Sequence, residues 1–372
     1  MRIVIAGGGT GGHTSPGLAV AARLRELGAE VHWIGSRAGI EARRVPEAGL
    51  PFHTIPVGKL RRYWDWQNVP DLAVRAPAGL ARSWRLLRRL RPALVLATGG
   101  FVSLPPSLAA RALRIPLVVH EQTSVPGLAN RVAGRFARRI ALTFPLTGAE
   151  FPKERTVLTG NPLRPELRGG TRAEAVRRFN LGDDARPIVY VTGGALGSHR
   201  LNRDVGEALP QLLEVCQIIH QCGDNAKTGD RAWLAERARA LPEALRRRYA
   251  LSPYVGAELR DVYAAASLVI GRSGAGTVNE CCQLGLAALY VPLPGTSGDE
   301  QTANARLVEA AGGAVVFPQV SLTPGGLVEA VTRLLGDQTA LAVMGERARS
   351  LAVPDAADRI ARLLFEVAGA GR

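Results

Sequence analysis

Residues 272–280 carry side chains and backbone groups that could bind a phosphorylated ligand. They follow the apolar run 268–271, which is typical of a buried parallel strand, and a helical pattern begins at Gly276. The first N–H groups of a helix have no partner inside it and are suited to phosphate. Thr277 adds a hydroxyl, and Glu280, about one turn further along, can accept both hydroxyls of a ribose. The segment therefore predicts a site for a nucleoside diphosphate.

The same two side chains also have a purely structural explanation. Thr277 and Glu280 are spaced as in a capping box, in which two side chains only satisfy the start of a helix. The residues alone leave both interpretations open.

A second glycine-rich segment lies near the N-terminus. Gly7, Gly9 and Gly12 follow a short apolar run and match the dinucleotide-binding fingerprint. Ser36 and Arg37, after the next predicted strand, could take the 2′-phosphate of NADP. An NADP-dependent oxidoreductase is therefore one hypothesis, although the fingerprint on its own is a weak signal.

The loop that follows favours a different chemistry. Residues 9–13 are Gly-Thr-Gly-Gly-His, so consecutive glycines leave room for a sugar or a phosphate, and His13 stands at the helix start. A neutral imidazole can take a proton from an attacking hydroxyl near neutral pH, which makes His13 a candidate general base. A histidine that only orders the loop would fit the spacing equally well.

The composition indicates a soluble protein with an acidic partner. A chain of 372 residues suits two domains, and its formal net charge is +15. Nucleic acid, anionic lipid headgroups or a phosphorylated substrate would each attract such a charge. Nucleic acid ranks last, because no helix-turn-helix, zinc-ligand spacing or RNA-recognition signature accompanies the charge. A non-catalytic basic membrane or nucleic-acid binder stays open as a third class of function.

The cysteines and the N-terminal residues predict where in the cell the protein lies. The four cysteines form no CxxC pair, which favours reduced thiols over disulfides. The first residues lack the pattern of a secretion signal, and no apolar run is long enough to span a bilayer. We expect a cytoplasmic protein or one that lies on the membrane peripherally.

Strand-like runs alternate with helical patterns along the chain, which predicts an α/β protein with doubly wound parallel sheets. The first helix is predicted to have Ser15 as its N-cap and Pro16 as its first residue, and the last helix to cover residues 355–367. The predicted strands are 3–6, 31–35, 52–56, 94–97, 117–120 and 140–144 in the first half, and 188–191, 218–220, 268–270, 288–291 and 315–317 in the second. A turn-rich stretch at about 159–170 predicts the linker.

Four of the predicted strands run directly into a tight glycine turn. The turns are residues 7–9, 98–100, 192–194 and 272–274. Ligands of open α/β sheets bind at the carboxyl ends of the strands. Two sheets facing each other would place all four turns around one cleft, and we therefore expect a two-domain enzyme that closes on its substrates.

Residues 58–92 combine basic and aromatic side chains. The basic residues are Lys59, Arg61, Arg62, Arg75, Arg82, Arg85, Arg88, Arg89 and Arg91, and the aromatic ones are Tyr63, Trp64, Trp66 and Trp84. This mixture suits an anionic membrane interface, with tryptophan at headgroup level and basic side chains on phosphates. A solvated basic helix with buried tryptophans is the alternative.

Metal-binding motifs are absent from the sequence. There is no HExxH, no paired CxxC and no Asp-x-Asp. We therefore expect no metal, and helix termini and arginines must meet the charge of a leaving group.

A series of motifs in fixed order over nearly the whole chain resembles the MurG family. They are residues 9–13 with 16–19, 99–103, 120–122 with 127–130, 160–164, 220–223, 272–275 with Thr277 and Glu280, and Gln301 with Asn304. This family transfers N-acetylglucosamine from UDP-N-acetylglucosamine to lipid I, which gives lipid II in peptidoglycan synthesis. The resemblance implies a single displacement with inversion at the anomeric carbon.

The resemblance also implies a GT-B fold, with two Rossmann-like domains that face a cleft. The lipid-linked acceptor would bind the N-terminal domain, residues 1–163 joined by the final helix 354–372, and the donor would bind residues 164–353. His13 would be the base for the acceptor hydroxyl. The implied donor-site residues are Thr10, Gly11, Gly12, Thr123, Arg164, Ala195, the backbone of Val255, Arg272, Ala275, Gly276, Thr277, Glu280, Glu300 and Gln301.

Four positions depart from the family pattern. Thr123 stands in place of an asparagine, Ala195 in place of a serine, Phe101 in place of a tyrosine, and Glu300 in place of a neutral or basic residue. Shorter or apolar side chains remove hydrogen-bonding groups, while an ionised Glu300 would repel phosphate. We expect a weaker donor site that still prefers UDP-N-acetylglucosamine over UDP-glucose. A MurG-like transferase with another UDP-sugar or acceptor is the alternative.

Overall fold

A computed structural model describes residues 1–58, 75–182 and 185–370 of the chain. The chain divides into two compact units. The first unit is Met1–Arg164 together with Val353–Arg372, and the second is Pro165–Ala352.

The first unit contains a seven-stranded sheet in the order β3-β2-β1-β4-β5-β6-β7. Its strands are β1 (Arg2–Gly7), β2 (Glu30–Gly35), β3 (Phe52–Thr54), β4 (Leu94–Gly99), β5 (Leu117–Glu121), β6 (Arg139–Leu142) and β7 (Thr156–Leu158). All of its pairings are parallel, as predicted. The edge strand β7 was not predicted, because it has only three residues and lies between the charged residues 153–155 and the turn-rich linker.

Helices lie between the strands of this unit. They are α1 (Gly11–Glu26), α2 (Glu41–Glu47), α3 (Ala76–Leu90), α4 (Leu104–Ala112), α5 (Leu128–Gly134) and, from the C-terminus, the last helix of the chain (Ala356–Gly369). That last helix was predicted as 355–367 and is confirmed within two residues. It packs against α1, and Arg23 in α1 donates to Asp358 over 2.7 Å.

Apolar side chains cover both faces of the first sheet. Ile3 and Ile5 of β1 belong to one core, which also includes Ile360 and Leu364 of the last helix. Val4 and Ala6, which alternate with them along the same strand, belong to a second core on the other face of the sheet. Successive side chains of a strand point to opposite faces, so a strand buried on both sides must be apolar throughout.

The second unit repeats the scheme with six strands in the order β10-β9-β8-β11-β12-β13. The strands are β8 (Ile188–Thr192), β9 (Gln217–Gln221), β10 (Tyr249–Ser252), β11 (Ala266–Gly271), β12 (Ala288–Tyr290) and β13 (Ala314–Val316), again all parallel. Strand β10 at the edge was not predicted. The fold is confirmed as two Rossmann-like parallel-sheet units.

Nine helices in the described part of the second unit complete it. They are α6 (Arg172–Arg178), α7 (His199–Val215), α8 (Asp230–Arg239), α9 (Glu243–Arg246), α10 (Leu259–Ala265), α11 (Ala275–Leu284), α12 (Glu300–Ala310), α13 (Pro324–Gly336) and α14 (Gln338–Ser350). The last helix of the chain, Ala356–Gly369, is α15. All four cysteines are buried in this unit and free, as the sequence predicted.

The predicted start of the first helix is wrong. Helix α1 begins at Gly11 with Thr10 as N-cap, so Pro16 lies inside the helix rather than at its start. Thr14 donates to the Thr10 carbonyl through both its N–H, over 3.2 Å, and its hydroxyl, over 2.9 Å. These two hydrogen bonds form the first helical turn, which contains Gly11 and Gly12. The Ser-Pro start signal places the helix start later and does not predict this turn. As a consequence His13 belongs to the first turn.

Much of the predicted basic and aromatic segment lies outside the described residues. Lys59, Arg61, Arg62, Tyr63, Trp64 and Trp66 fall in the range 59–74. The remaining part forms α3, whose buried side consists of Gly79, Ser83, Leu87 and Leu90.

Candidate functional site

In each unit two of the predicted glycine turns follow the neighbouring strands at which the strand order reverses. In the first unit β1 and β4 are neighbours, and Gly7 pairs with Gly99 at their carboxyl ends. In the second unit β8 and β11 are neighbours, and Thr192 pairs with Gly271. Connections leave in opposite directions at such a point, which opens a crevice in which open α/β sheets bind ligands.

A buried carboxylate holds the first glycine turn. Glu41 is fully buried and accepts hydrogen bonds from the N–H of Gly9 over 2.8 Å and from the hydroxyl of Ser36 over 2.6 Å. A Cβ on Gly8 would lie 2.2 Å from the Glu41 carboxyl carbon, so this turn needs glycine. Two of the groups that would bind NADP, the N–H of Gly9 and the hydroxyl of Ser36, are therefore committed to Glu41, which argues against the oxidoreductase hypothesis.

His13 lies against the second glycine turn. A Cβ on Gly99 would be 2.9 Å from Nδ1 of His13, and one on Gly100 would be 3.3 Å from Cδ2. Both glycines have positive φ, 98° and 75°, so backbone conformation and space require glycine here. Nδ1 of His13 lies 3.1 Å from Oε1 of Gln122. The half-buried imidazole ring is thus held through a hydrogen bond between its Nδ1 and the Gln122 side chain.

The residues just before His13 form an open helix start. Thr10 is the N-cap of α1, and Gly11 and Gly12 are its first two residues. No heavy atom would lie within 4 Å of a Cβ built on Gly11. The first N–H groups of a helix have no helical acceptor, so this start could bind an anionic or hydroxylated group.

Thr123 is turned into the protein rather than outward. It is buried, its N–H donates to Oε1 of Glu121 over 3.0 Å, and its hydroxyl lies within hydrogen-bond distance of that oxygen and of the Val125 carbonyl. Glu121 also accepts from Asn130 over 2.9 Å. The hydroxyl of Thr123 is therefore used within its loop, and its predicted contact with the donor stays a prediction.

In the second unit, the helix predicted to bind phosphate is present. Helix α11 begins at Ala275, one residue earlier than predicted, and Gly274 is its N-cap. Ala275, Gly276 and Thr277 are its first three residues, so their N–H groups have no acceptor inside the helix. No heavy atom would approach a Cβ on Gly274 or Gly276 within 4 Å. A diphosphate has room at this helix start.

The capping-box interpretation of Thr277 and Glu280 is wrong. A capping box needs the threonine at the N-cap, but Thr277 is the third residue of α11. Oε2 of Glu280 instead accepts a hydrogen bond of 2.7 Å from the hydroxyl of Tyr263 in α10. Burial raises the pKa of Tyr263 well above its usual value, so the phenol stays a donor. The carboxylate is thereby fixed at the half-buried surface of α11.

Val255 is tied to the third glycine turn through Gln221. Oε1 of Gln221 accepts from the N–H of Val255 over 2.8 Å, and its Nε2 donates to the carbonyl of Gly194 over 2.9 Å. The hydroxyl of Tyr190 also donates to Oε1 over 3.3 Å. The backbone of Val255 is therefore held at a fixed position, while Ala195 in the same turn is exposed.

Arg272 links the loops that follow three other strands of its sheet. Its guanidinium donates to the carbonyl of Val291 over 2.8 Å, to the hydroxyl of Ser198 over 2.7 Å, and to the side chain of Gln319. Burial lowers the pKa of Arg272 to about 10, and the side chain stays charged near neutral pH. The structure places Arg272 as a clamp within the unit, and its direct contact with a donor stays a prediction.

The other predicted donor residues lie on separate elements. Oε1 of Gln301 in α12 accepts from the N–H of Leu293 over 3.1 Å, which leaves its amide NH2 as the outward donor. Glu300 is the first residue of α12 and is half-buried. Arg164 is the last residue of the first unit's N-terminal part.

Several functional side chains have no clear signal in the sequence. Gln122 belongs to a motif of the resemblance, but no role follows from its position alone. Glu41, Tyr263 and Gln221 act on residues from 17 to 34 positions away in the chain. Such pairs depend on how helices and strands pack, and one sequence does not reveal them.

Residues 1–58, 75–182 and 185–370 contain neither a candidate membrane span nor a candidate metal site. None of the helices there has both the length and the apolar character needed to cross a bilayer. No three His, Cys, Asp or Glu side chains in these ranges are grouped so that they could hold a metal ion.

Together these features support transfer chemistry on a phosphorylated ligand. The second unit has an open helix start, whose N–H groups suit an anion, and, one turn later, a fixed carboxylate that can accept hydrogen bonds from hydroxyls. The first unit has an imidazole with one nitrogen held by an amide, which suits proton abstraction.

Comparison with protein families agrees with this division. The model for the glycosyltransferase family 28 N-terminal domain matches residues 3–142, and that for the family 28 C-terminal domain matches residues 188–360.

Similar proteins cover nearly the whole chain. Two are named UDP-N-acetylglucosamine--N-acetylmuramyl-(pentapeptide) pyrophosphoryl-undecaprenol N-acetylglucosamine transferase. The one from Methylococcus capsulatus is 41% identical, over 99% of this chain and 99% of its own. The one from Nocardioides sp. is 40% identical, over 99% of this chain and 98% of its own. The crystal structure of Acinetobacter baumannii MurG has a TM-score of 0.75 and 30% identity, and covers 98% of this chain and 99% of its own. The chain therefore belongs to the MurG family of GT-B glycosyltransferases, within glycosyltransferase family 28.

Proposed function

We propose that this protein transfers N-acetylglucosamine from UDP-N-acetylglucosamine to the 4-hydroxyl of lipid I and thereby forms lipid II in peptidoglycan synthesis. The observation that carries the proposal is the full-length similarity, at 40 to 41% identity, to transferases whose names state this donor and acceptor. The geometry of each unit supports the proposal independently. The second unit offers a helix start suited to a diphosphate and a carboxylate suited to a ribose, and the first unit offers a candidate base.

The donor half of the proposal rests on the second unit. The start of α11 receives the diphosphate, Glu280 accepts from the ribose hydroxyls, and the backbone of Val255 borders the uracil. The amide of Gln301 donates to a sugar hydroxyl. A helix start stabilises the charge that grows on the departing diphosphate, and this electrostatic term is expected to be the largest in the reaction.

The reaction is a single displacement. Nε2 of His13 takes the proton from the acceptor hydroxyl as its oxygen attacks the anomeric carbon of the donor. The new glycosidic bond forms while the bond to the diphosphate breaks, and UDP leaves with the electron pair. Attack from the side opposite the leaving group inverts the configuration at the anomeric carbon.

A turnover assay tests the proposal. The full-length protein, a lipid I analogue and UDP-N-acetylglucosamine should release UDP and form the β-linked disaccharide. A titration with NADPH serves as the comparison, because the glycine fingerprint alone would also suit that ligand. Binding of NADPH without UDP release, or no UDP release with any acceptor, would refute the proposal.

The first prediction concerns Glu280. Replacing Glu280 by glutamine removes the charge from the predicted ribose acceptor and is expected to weaken donor binding by about 1 to 3 kcal/mol. Tyr263→Phe keeps the ring but removes the donor that fixes the carboxylate, and should weaken binding by a smaller amount in the same direction. Isothermal titration with UDP-N-acetylglucosamine and with 2′,3′-dideoxy-UDP measures both effects.

The control is Glu329→Gln, the same chemical change at an exposed position of α13. It should leave donor affinity unchanged. If Glu280→Gln weakens dideoxy-UDP as much as the natural donor, Glu280 does not act through the ribose hydroxyls.

We also propose that the protein binds the cytoplasmic face of an anionic membrane peripherally. The exposed side of α3 carries Leu80 and Trp84, and the guanidinium of Arg88 lies 5.0 Å from the Trp84 ring centre. Helix α4 packs on α3 and ends at a cleft of about 700 Å³. The cleft is lined by six arginines, Arg111, Arg114, Arg135, Arg138, Arg139 and Arg155. Apolar rings beside guanidinium groups suit lipid headgroups.

Vesicle flotation measures this binding. Vesicles containing phosphatidylglycerol should bind the protein, and phosphatidylcholine vesicles should bind it weakly, because each basic residue near the surface contributes about 1 kcal/mol that salt screens. Changing Arg111 and Arg135 to glutamate should reduce binding, whereas the same change at the exposed Arg239 and Arg246 of the second unit should not. Equal binding to both vesicle types would contradict the proposal.

A further inference from the structure

We infer that Gln122 is the positioning residue that fixes the tautomer of His13 and leaves the Nε2 lone pair as the base. The inference rests on the proposed function, in which His13 accepts the proton of the acceptor hydroxyl. It goes further, because it assigns a role to a buried amide and states which ring nitrogen performs the chemistry.

The orientation of the Gln122 amide follows from its surroundings. Its Nε2 lies 2.8 Å from the carbonyl oxygen of Thr98 and 3.0 Å from that of His120. Carbonyl oxygens only accept hydrogen bonds, so the group that faces them must be the NH2. The flipped amide would place oxygen against two carbonyl oxygens in a side chain that is 1% exposed. The other end, which faces His13, is therefore Oε1.

The two carbonyls explain why an amide is needed. The pairing of β4 with β5 ends at Ala97 and Val119, so the carbonyls of Thr98 and His120 lie just beyond the last paired residues. Buried carbonyls without a donor are costly. The NH2 of Gln122 donates to both, and the His120 carbonyl also accepts from Asn130 over 3.2 Å. The amide is thus held by the end of the sheet.

The tautomer of His13 follows from this orientation. Oε1 of Gln122 only accepts, and it lies 3.1 Å from Nδ1 of His13, so Nδ1 carries the hydrogen. A neutral imidazole has one N–H, and Nε2 then keeps its lone pair. The ring lies close to Gly99 and Gly100, where an added Cβ would come within 2.9 and 3.3 Å of it. The arrangement holds the base ready before the acceptor arrives.

His120 supports the same assignment from behind. Its Nε2 donates to the carbonyl of Gly160 over 3.1 Å, so its Nδ1 has the lone pair and can face the NH2 of Gln122 at 3.2 Å. Burial lowers the pKa of His120 to about 4, so this ring is neutral near neutral pH. The lone pair on Nδ1 of His120 is therefore compatible with an NH2 at this end of Gln122, whose two N–H bonds are directed at the Thr98 and His120 carbonyls.

An amide differs from a carboxylate in this position. A carboxylate would also select the Nδ1–H tautomer, but its negative charge would strongly favour the protonated ring. The neutral oxygen of Gln122 selects the tautomer with less influence on protonation. The ring can then accept a proton and release it again after each turnover.

Nitrogen NMR tests the inference without any activity measurement. Full-length protein labelled with 15N at the histidine rings is compared with His13→Gln, which assigns the His13 signals among the six histidines. We expect a protonated Nδ1 and an unprotonated Nε2 for the neutral ring, and a mixture of tautomers in Gln122→Met. An Nε2–H tautomer in the unmodified protein, or an unchanged Nδ1–H tautomer in Gln122→Met, would overturn the inference.

The kinetic test uses a matched control. Gln122→Met should lower kcat by about 10- to 100-fold with little change in KM, because only the correctly protonated fraction reacts. Asn130→Leu removes another buried amide, which donates to the His120 carbonyl over 3.2 Å and to Glu121 over 2.9 Å, whereas the ring of His13 is held by Gln122. It should keep the Nδ1–H tautomer and lose less of kcat than Gln122→Met. Equal losses of kcat in both variants would mean that Gln122 acts only through the fold.

These outcomes separate the inference from the proposed function. If His13→Ala retains full kcat, the proposed base is wrong whatever the tautomer. If His13→Ala loses activity while Gln122→Met retains it, the proposed function stands and the role of Gln122 is refuted.

Discussion

Replacing His13 by alanine is expected to lower kcat by about 10²- to 10⁴-fold, the range associated with the loss of a general base. The donor KM should change little, because the hydrogen bond of the ring goes to Gln122 and its backbone neighbours are the glycines of the second turn. Steady-state kinetics with a lipid I analogue at saturating donor measures the change. Added imidazole should restore part of kcat in the alanine variant.

The comparison variant is His53→Gln. His53 is half-buried in β3, and its Nε2 is hydrogen-bonded to Nδ1 of His32 over 3.0 Å. Its replacement therefore removes a histidine of similar burial from the same unit. It should keep kcat within about twofold, since it has no part in proton transfer. If His13→Ala lowers only the melting temperature and leaves kcat intact, His13 orders the loop and another group is the base.

The sequence was sufficient for the architecture because parallel strands buried on both faces must be apolar throughout. Strands such as β1, β4, β8 and β11 are short, mostly apolar runs that end at or just before a glycine, and all four were predicted at the right place. Edge strands are different. β7 and β10 are half-exposed and lie among turn formers or charged residues, so they lack a continuous apolar run. Their existence depends on the neighbouring strand.

Helix starts were the weakest local prediction. Ser15 and Pro16 are strong start signals, but the double hydrogen bond from Thr14 to the Thr10 carbonyl begins α1 five residues earlier than Pro16. Likewise Thr277 and Glu280 fit a capping box on spacing, whereas α11 starts at Ala275. In both cases the glycines before the signal permit an earlier turn, and this moves a functional residue into the first turns of the helix.

The candidate site was predictable in part. Glycine turns, His13 and Glu280 stand out because their residue types can bind phosphate, accept a proton or accept hydrogen bonds, although their spacing fits a structural role equally well. The residues that orient them do not stand out. Tyr263 fixes Glu280 from another helix, and Gln122 fixes His13 from another strand. Their side chains become meaningful only when packing brings distant elements together, so one sequence gives the reacting groups more readily than their supports.

Arg272→Met is expected to lower the free energy of unfolding of the second unit by roughly 2 to 4 kcal/mol. Arg272 is 9% exposed and serves the carbonyls of Val291 and Pro292 as well as two side chains. Methionine fills a similar volume but donates nothing, so these buried acceptors lose their partner. The melting temperature should fall by about 2 to 4 °C for each kcal/mol in a unit of this size. Calorimetry of the full-length protein measures it.

Arg272→Met should also weaken donor binding by about tenfold, which corresponds to about 1.4 kcal/mol. This effect should arise through the loops that Arg272 holds rather than from a direct contact with the donor. Arg272 holds Ser198 next to the third glycine turn and Gln319 beyond β13, and without it these loops lose a common anchor. Arg272→Lys keeps the charge but cannot reach all acceptors, so it should restore only part of the stability. Arg333→Met, at an exposed position of α13, is the control and should change neither quantity. If Arg272→Met abolishes donor binding while the melting temperature stays unchanged, the guanidinium binds the diphosphate directly and is not a clamp.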